Sequence, residues 1–283
     1  AVRRLGFRLP FRMPVLTPEL KRLAIIAAPA VLAGGVVQIN LIVGRQVASL
    51  TEGAMVWLYN ADRLYQLPLG VVGIAIGIVL LPDLSRRLRA GDGVGARASF
   101  NRGTEFAILL TLPAAVALVV IAWPIISVLL QRGEYGPEAT LNTAHALAAY
   151  GVGLPAFVLQ KVLQPLYYAR EDTRSPFRFA VWSMVVNAVL AVGLMPAIGF
   201  LAAAIATSTS AWVMVWQLWR GSRAMGDAAS FDDRFRRRLP RIIAASAVMG
   251  VVLWGLAWAL SGALVTPGVR TLALLGLVLA GIA

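Results

Sequence analysis

The chain has 283 residues, 59% of them hydrophobic and only 14% charged, with a mean hydropathy of +0.77. Soluble domains run about 45–50% apolar and about 25% charged, so this composition excludes a water-soluble globular protein. The net charge is nevertheless +13, from 26 basic and 13 acidic residues, a balance that in a soluble protein would point to nucleic acid. The absence of cysteine excludes a disulfide framework, a thiolate metal site and a cysteine nucleophile. The single histidine, His145, excludes histidine-rich metal chemistry.

Taken in chain order, residues 1–22 carry six basic side chains, three prolines and Leu5, Phe7, Leu9 and Phe11. They read as a cytoplasmic interfacial arm rather than a signal peptide or a spanning helix. A bilayer core about 30 Å thick needs about 20 largely apolar residues per helix. Seven segments meet or approach that length: 23–50, 54–81, 105–130, 141–169, 179–195, 200–219 and 240–260. An eighth, 269–283, ends in open apolar sequence with no cap and no basic flank, which reads as a truncated helix. Outer-membrane strands alternate with period two and these runs do not. The expectation is an all-α, polytopic membrane bundle of about eight transmembrane helices. Its parts are the arm 1–22, a six-helix lobe 23–220, a basic loop 221–239 and a two-helix unit 240–283.

The basic residues fall on alternate sides of these segments. Twenty-one of the 26 lie in 1–22, 83–103, 170–178 and 220–241, whereas the opposite side holds only Arg132 and Arg270. This is the positive-inside pattern. It places the first residues and the 221–239 loop in the cytoplasm, with contact to anionic membrane lipids as a secondary role for the charge. No aromatic-interleaved basic patch or recognition module accompanies the charge, so no nucleic-acid partner is expected.

Three basic residues, Arg45, Arg63 and Lys161, lie inside apolar segments, where ionisable groups are costly and mark function. Tyr59, Arg63 and Gln66 stand at i, i+4 and i+7 and share one helical face, with Asp62 beside them. Arg63 is nine residues into its segment, about 13–14 Å from the end. It suits an anion, because guanidinium grips phosphate bidentately; the alternative is a structural contact with Asp62 or with backbone. Arg45, five residues from its segment end, is explained by snorkelling. Gln38 lies on the Arg45 face, lining a cavity or joining helix–helix hydrogen bonds. Lys161, amid Gln160, Gln164, Pro155 and Pro165, either lines a pocket or anchors at the interface. Pro29 with Gly34 and Gly35, Pro68 with Gly70 and Gly73, and the pair Pro155 and Pro165 are expected to interrupt their helices. There is no P-loop, GxSxG or HExxH motif and no membrane carboxylate pair. No catalytic residue, cofactor or metal ligand is therefore assigned. His145 reads as an interface residue.

The run Leu58-Tyr59-Asn60-Ala61-Asp62-Arg63-Leu64-Tyr65-Gln66-Leu67-Pro68-Leu69-Gly70, continuing to Leu80-Leu81-Pro82-Asp83-Leu84-Ser85-Arg86, resembles the signature of the MurJ (MviN) family. These are the lipid II flippases of bacterial peptidoglycan synthesis, within the multidrug/oligosaccharidyl-lipid/polysaccharide exporter superfamily. The stretches around 161–176 and 38–50 match as well. The resemblance implies a protein of fourteen helices, of which this chain would hold the seventh to the fourteenth: the second lobe plus a lipid-tail groove. The first lobe of the same protein would be a partner. By resemblance Arg63 is the second-lobe cavity arginine and Asp62 its motif neighbour. Some relatives carry acidic residues for cation binding here, where this chain has Gly44, Arg45, Asn187 and Ala191. The implied location is the bacterial inner membrane. The implied activity moves a polyprenyl-diphosphate glycolipid across it by alternating access, with no covalent chemistry. A polysaccharide-lipid flippase, a drug exporter or a non-transporting scaffold are the alternatives.

Overall fold

Each of the eight apolar segments holds a helix, because in hydrocarbon only intra-segment hydrogen bonding satisfies every backbone N–H and C=O. The computed structural model describes residues 17–266 and 269–282; most of the N-terminal arm lies outside them. The helices are α1 (Pro18–Ala48), α2 (Ala54–Arg89), α3 (Gly93–Val120), α4 (Ala122–Leu130), α5 (Pro137–Tyr168), α6 (Arg174–Ile198), α7 (Leu201–Ser222), α8 (Asp233–Ala259), α9 (Ser261–Val265) and α10 (Arg270–Ile282). No strand occurs among the described residues. Six stretches of helix, in α2, α3, α5, α6, Leu201–Met225 and Asp227–Ala259, are long and apolar enough to cross a membrane. The 31 residues of α1 reach about 46 Å at 1.5 Å per residue.

Several helices outrun their apolar segments. The α2 helix continues to Arg89, α3 starts at Gly93 rather than near 105, and α8 starts at Asp233 rather than 240. Arginine is a strong helix former, so basic flanks extend the helices instead of ending them. Polar caps then set the ends: Thr17 accepts from Leu20 N, Asp92 from Gly95 N and Asp232 from Phe235 N. The irregular part of 221–239 shrinks to two short 3-10 turns, Arg223–Met225 and Asp227–Ala229, and the residues flanking them.

The prolines do not interrupt helices as expected. Pro29, Pro68, Pro82, Pro113, Pro155, Pro165, Pro196 and Pro240 all lie inside continuous helices. Bonds from a neighbouring helix reach the same stretch of backbone. Next to Pro155, Ser208 Oγ donates to Ala149 O (2.7 Å) and Trp212 Nε1 to Val152 O (3.0 Å). The one break within a span falls at Ile121, between α3 and α4.

The α5 helix occupies the centre, packed against α2, α3, α4 and α7, while α6 lies between α1 and α7. Close approach needs small residues. A Cβ on Gly153 would sit 2.5 Å from Ser208 Oγ and 3.0 Å from Ser208 Cα, so α5 and α7 touch nearly backbone to backbone. Gln160 Nε2 donates to Ala211 O (3.1 Å) and Tyr167 Oη to Leu218 O (2.6 Å) along the same seam. These two helices are the least apolar of the six spans and the most buried by protein. A second seam joins α6 to α7, where buried Asn187 donates to Thr207 Oγ1 (3.3 Å) and Ser210 Oγ (3.4 Å).

The α8 helix is attached to the lobe through α3. Asn101 Nδ2 donates to Ser230 O (2.9 Å), Asn101 Oδ1 accepts from Asp232 N (3.0 Å) and Arg97 donates to Phe231 O (2.9 Å). Phe100, Phe231 and Phe235 stack in succession beside these bonds. Glu105 meets Arg102 (3.5 Å), Arg234 (3.4 Å) and Arg238, so its carboxylate bridges α3 and α8. At the opposite end a small apolar cluster of Ile121, Leu253, Leu264, Ala273 and Leu277 joins α4, α8, α9 and α10. There Arg270 donates to Gln131 O (3.0 Å).

Candidate functional site

The face of α2 away from the core carries the candidate residues. A helix periodicity of 3.6 places Tyr59, Arg63 and Gln66 in one column, and all three are exposed, with Asp62 half-buried at its edge. The opposite face, with Ala61 and Tyr65, is buried. Tyr65 stacks on Tyr150 of α5 (centroids 5.1 Å) and leans on Phe157 (5.6 Å). This aromatic backing fixes the rotation of α2 and therefore the direction of Arg63.

Partners within the column decide what Arg63 can do. The Gln66 amide donates to Asp62, which also accepts from the Tyr65 side chain. Among the described residues no ion pair joins Arg63 to Asp62, so the structural alternative of an Asp62–Arg63 ion pair is not realised. The Arg63 guanidinium instead lies over the Tyr59 ring, 4.9 Å from its centroid. A cation–π contact steadies the side chain while leaving its N–H donors free for an anion. Asn60 reaches across to the Tyr135 hydroxyl (3.4 Å), which also meets Thr143 on α5. That link ties the start of α2 to the α4–α5 turn.

Lys161 is exposed on α5, and its stem packs on α2, since a Cβ on Gly73 would lie 3.6 Å from Lys161 Cγ. Gly73 is ten residues beyond Arg63, about 15 Å along the helix, so Lys161 is in reach of the same face but not in the same cluster. Gln160 is turned away to α7. Gln38 is exposed on α1, and no described hydrogen bond joins it to the α2 set. Arg45 is exposed at the end of α1, and His145 is exposed early in α5. Tyr65, Tyr135, Tyr150 and Phe157 support the site without having stood out in the sequence. Aromatic residues in apolar runs look like ordinary core, and only their convergence from two helices marks them.

The other end of α2 is an ionic hub. Asp83 accepts from Arg86 (2.6 Å), Arg87 (2.9 Å) and Ser99 Oγ, and Arg87 also reaches Asp92 (3.1 Å). In the turn after α5, Arg170 donates to Leu166 O (2.8 Å) and Met225 O (3.4 Å). Partial burial there holds its pKa below the usual arginine value.

A bundle of helices long and apolar enough to span a bilayer defines a class, the multi-pass membrane proteins. A family profile described as lipid II flippase MurJ matches residues 1–269. A probable lipid II flippase MurJ of Rhizobium meliloti (strain 1021) is 45% identical over 292 residues, covering 100% of this chain and 53% of that protein. A protein of the same description from Vibrio cholerae serotype O1 is 36% identical over 275 residues, covering 94% of this chain and 51% of its own length. The chain thus spans about half the length of the curated relatives it matches. Among solved structures, a lipid II flippase MurJ in an inward closed conformation superposes with a TM-score of 0.74 at 22% identity, covering 95% of this chain and 55% of that one. A MOP superfamily transporter from Pyrococcus furiosus superposes with a TM-score of 0.62 at 14% identity, covering 90% of this chain and 61% of that one. These two matches show the shared fold. The chain belongs to the MurJ family of lipid II flippases.

Proposed function

We propose that this chain forms the second lobe and the lipid-tail helices of a flippase for a polyprenyl-diphosphate glycolipid, lipid II, working by alternating access with the first lobe. Arg63 is the cation that holds the diphosphate. Moving two phosphate charges away from water requires fixed positive charge in their place, because an unpaired buried ion is costly. Tyr59 steadies Arg63, Gln66 and Tyr65 occupy Asp62, and Lys161 extends the cationic face. Gln38 adds a polar group from α1. The polyprenyl tail needs only an apolar groove, supplied by 240–283, while 23–220 make the lobe and 1–22 and 221–239 lie in the cytoplasm. The basic asymmetry of the loops supports that orientation. No bond is formed or broken in this cycle.

The observation that carries the reading is Arg63, exposed on α2, resting on Tyr59, with its nearest acid bonded elsewhere. In the full-length protein, Arg63→Ala is expected to abolish complementation of a flippase-depleted strain while membrane levels stay unchanged. Growth like the parent would overturn the assignment. A binding assay with lipid II against other polyprenyl-diphosphate lipids separates it from a polysaccharide-lipid flippase.

A further inference from the structure

We propose that the far end of α2 carries a second anion site, a staging cleft for the diphosphate of the membrane-borne lipid before it reaches Arg63; this inference rests on the flippase reading. Leu81, Pro82, Ser85, Arg86 and Arg89 line an open cleft of about 400 Å³. Their spacing keeps them on one side of the helix. Arg86 and Arg89 are three residues apart, which makes them surface neighbours with Cβ atoms about 5–6 Å apart. That separation offers one guanidinium to each of two linked phosphates, and the Ser85 hydroxyl adds a donor one turn back.

The charges near the cleft are unequally used. Arg87 is tied to both Asp83 and Asp92. Arg86 gives one contact to Asp83, yet its side chain remains 76% exposed and keeps further donors. Arg89 and the Ser85 hydroxyl have no partner among the described residues. Basic residues at a helix C-terminus complement its dipole and mark the inner side of a membrane, and that accounts equally for all three arginines. It does not account for an apolar-floored cleft into which the two less occupied arginines open.

The stretch of α2 between the two sites is apolar and open. Val71, Ile78 and Val79 are 76%, 68% and 71% exposed there, apolar surface that suits a prenyl chain. From Arg86 back to Arg63 is 23 residues, about 35 Å along the helix, close to the thickness of a bilayer core. The two cation sites therefore lie at different depths of one helix and on different sides of it, Arg86 about 140° around the helix from Arg63 and Arg63 set about 13–14 Å in from the end of its apolar segment.

The test uses the full-length protein in nanodiscs, titrated with a polyprenyl-diphosphate glycolipid and, in competition, with phosphatidylglycerol. The variants are Ser85→Ala/Arg89→Gln, which touch no described contact; Arg63→Gln; and Arg237→Gln, which removes an exposed charge elsewhere. The proposal expects Ser85→Ala/Arg89→Gln to weaken diphosphate-lipid binding about tenfold, Arg237→Gln to bind as the parent does, and phosphatidylglycerol to compete poorly. Parental affinity in Ser85→Ala/Arg89→Gln, with loss in Arg63→Gln, overturns the staging cleft and leaves the flippase reading standing. A parent protein that does not prefer the diphosphate lipid over phosphatidylglycerol overturns both. A loss in Arg237→Gln equal to that in Ser85→Ala/Arg89→Gln overturns the cleft in favour of general charge.

Discussion

Replacing Glu105 by glutamine tests how the lobe holds α8. The Glu105 side chain is only 10% exposed, whereas Arg102, Arg234 and Arg238 are 44%, 45% and 48% exposed. At 3.5 Å and an effective dielectric of 20, Coulomb's law gives about 4.7 kcal/mol per pair. The arginines stand half in solvent, which pulls each contact towards the surface value of about 1 kcal/mol or less. Glutamine keeps the shape and one acceptor but leaves three guanidinium groups facing one another. The net loss is about 2 kcal/mol, roughly a 30-fold rise in the opening of α8 from α3. Hydrogen exchange of amides 233–245 reads that opening directly. The difference from the parent should shrink in high salt. Removing Arg238 as well should make the double variant less unstable than the two single losses added together. Unchanged exchange in Glu105→Gln, or equal deprotection of α5, would refute the reasoning.

Two further substitutions probe packing and capping. Gly153→Val places side-chain atoms where Ser208 already stands, 2.5–3.0 Å from the glycine's ideal Cβ position. It should force α5 from α7, lower stability by about 2–3 kcal/mol and reduce the melting temperature in detergent, with Gly153→Ala milder. Asp232→Ala removes the cap that accepts from Phe235 N at 2.7 Å. It should destabilise the first turn of α8 by about 1 kcal/mol, seen as faster exchange confined to that turn.

The number and placement of helices were legible because a bilayer imposes a length of apolar chain that few other folds need. Their ends were not. Arg86 to Arg89 and Arg234 to Arg238 look like loop by charge, yet they extend α2 and α8 because arginine favours helix and the caps Asp92 and Asp232 sit elsewhere. The column Tyr59–Arg63–Gln66 could be read from its spacing alone, since neighbours on one helix face follow from local geometry. Its backing by Tyr150 and Phe157 could not, because those residues arrive from a helix about 90 positions later. Glu105 opens the apolar segment 105–130, and only the return of α8 across α3 brings it Arg234 and Arg238.

The seam between α5 and α7 bears on how the protein enters the membrane. Its two helices are the least apolar of the spans and rely on each other for burial, yet α5 ends at Tyr168 and α7 begins at Leu201. At about 5–20 residues per second, the ribosome leaves α5 without its partner for roughly 2–7 s. Gln160 and the Tyr167 hydroxyl each wait longer, about 3–10 s, because the carbonyls of Ala211 and Leu218 lie 51 residues after them. Membrane insertion of α5 is therefore a waiting step, and weakening α7 should be felt first as premature loss of α5 during synthesis.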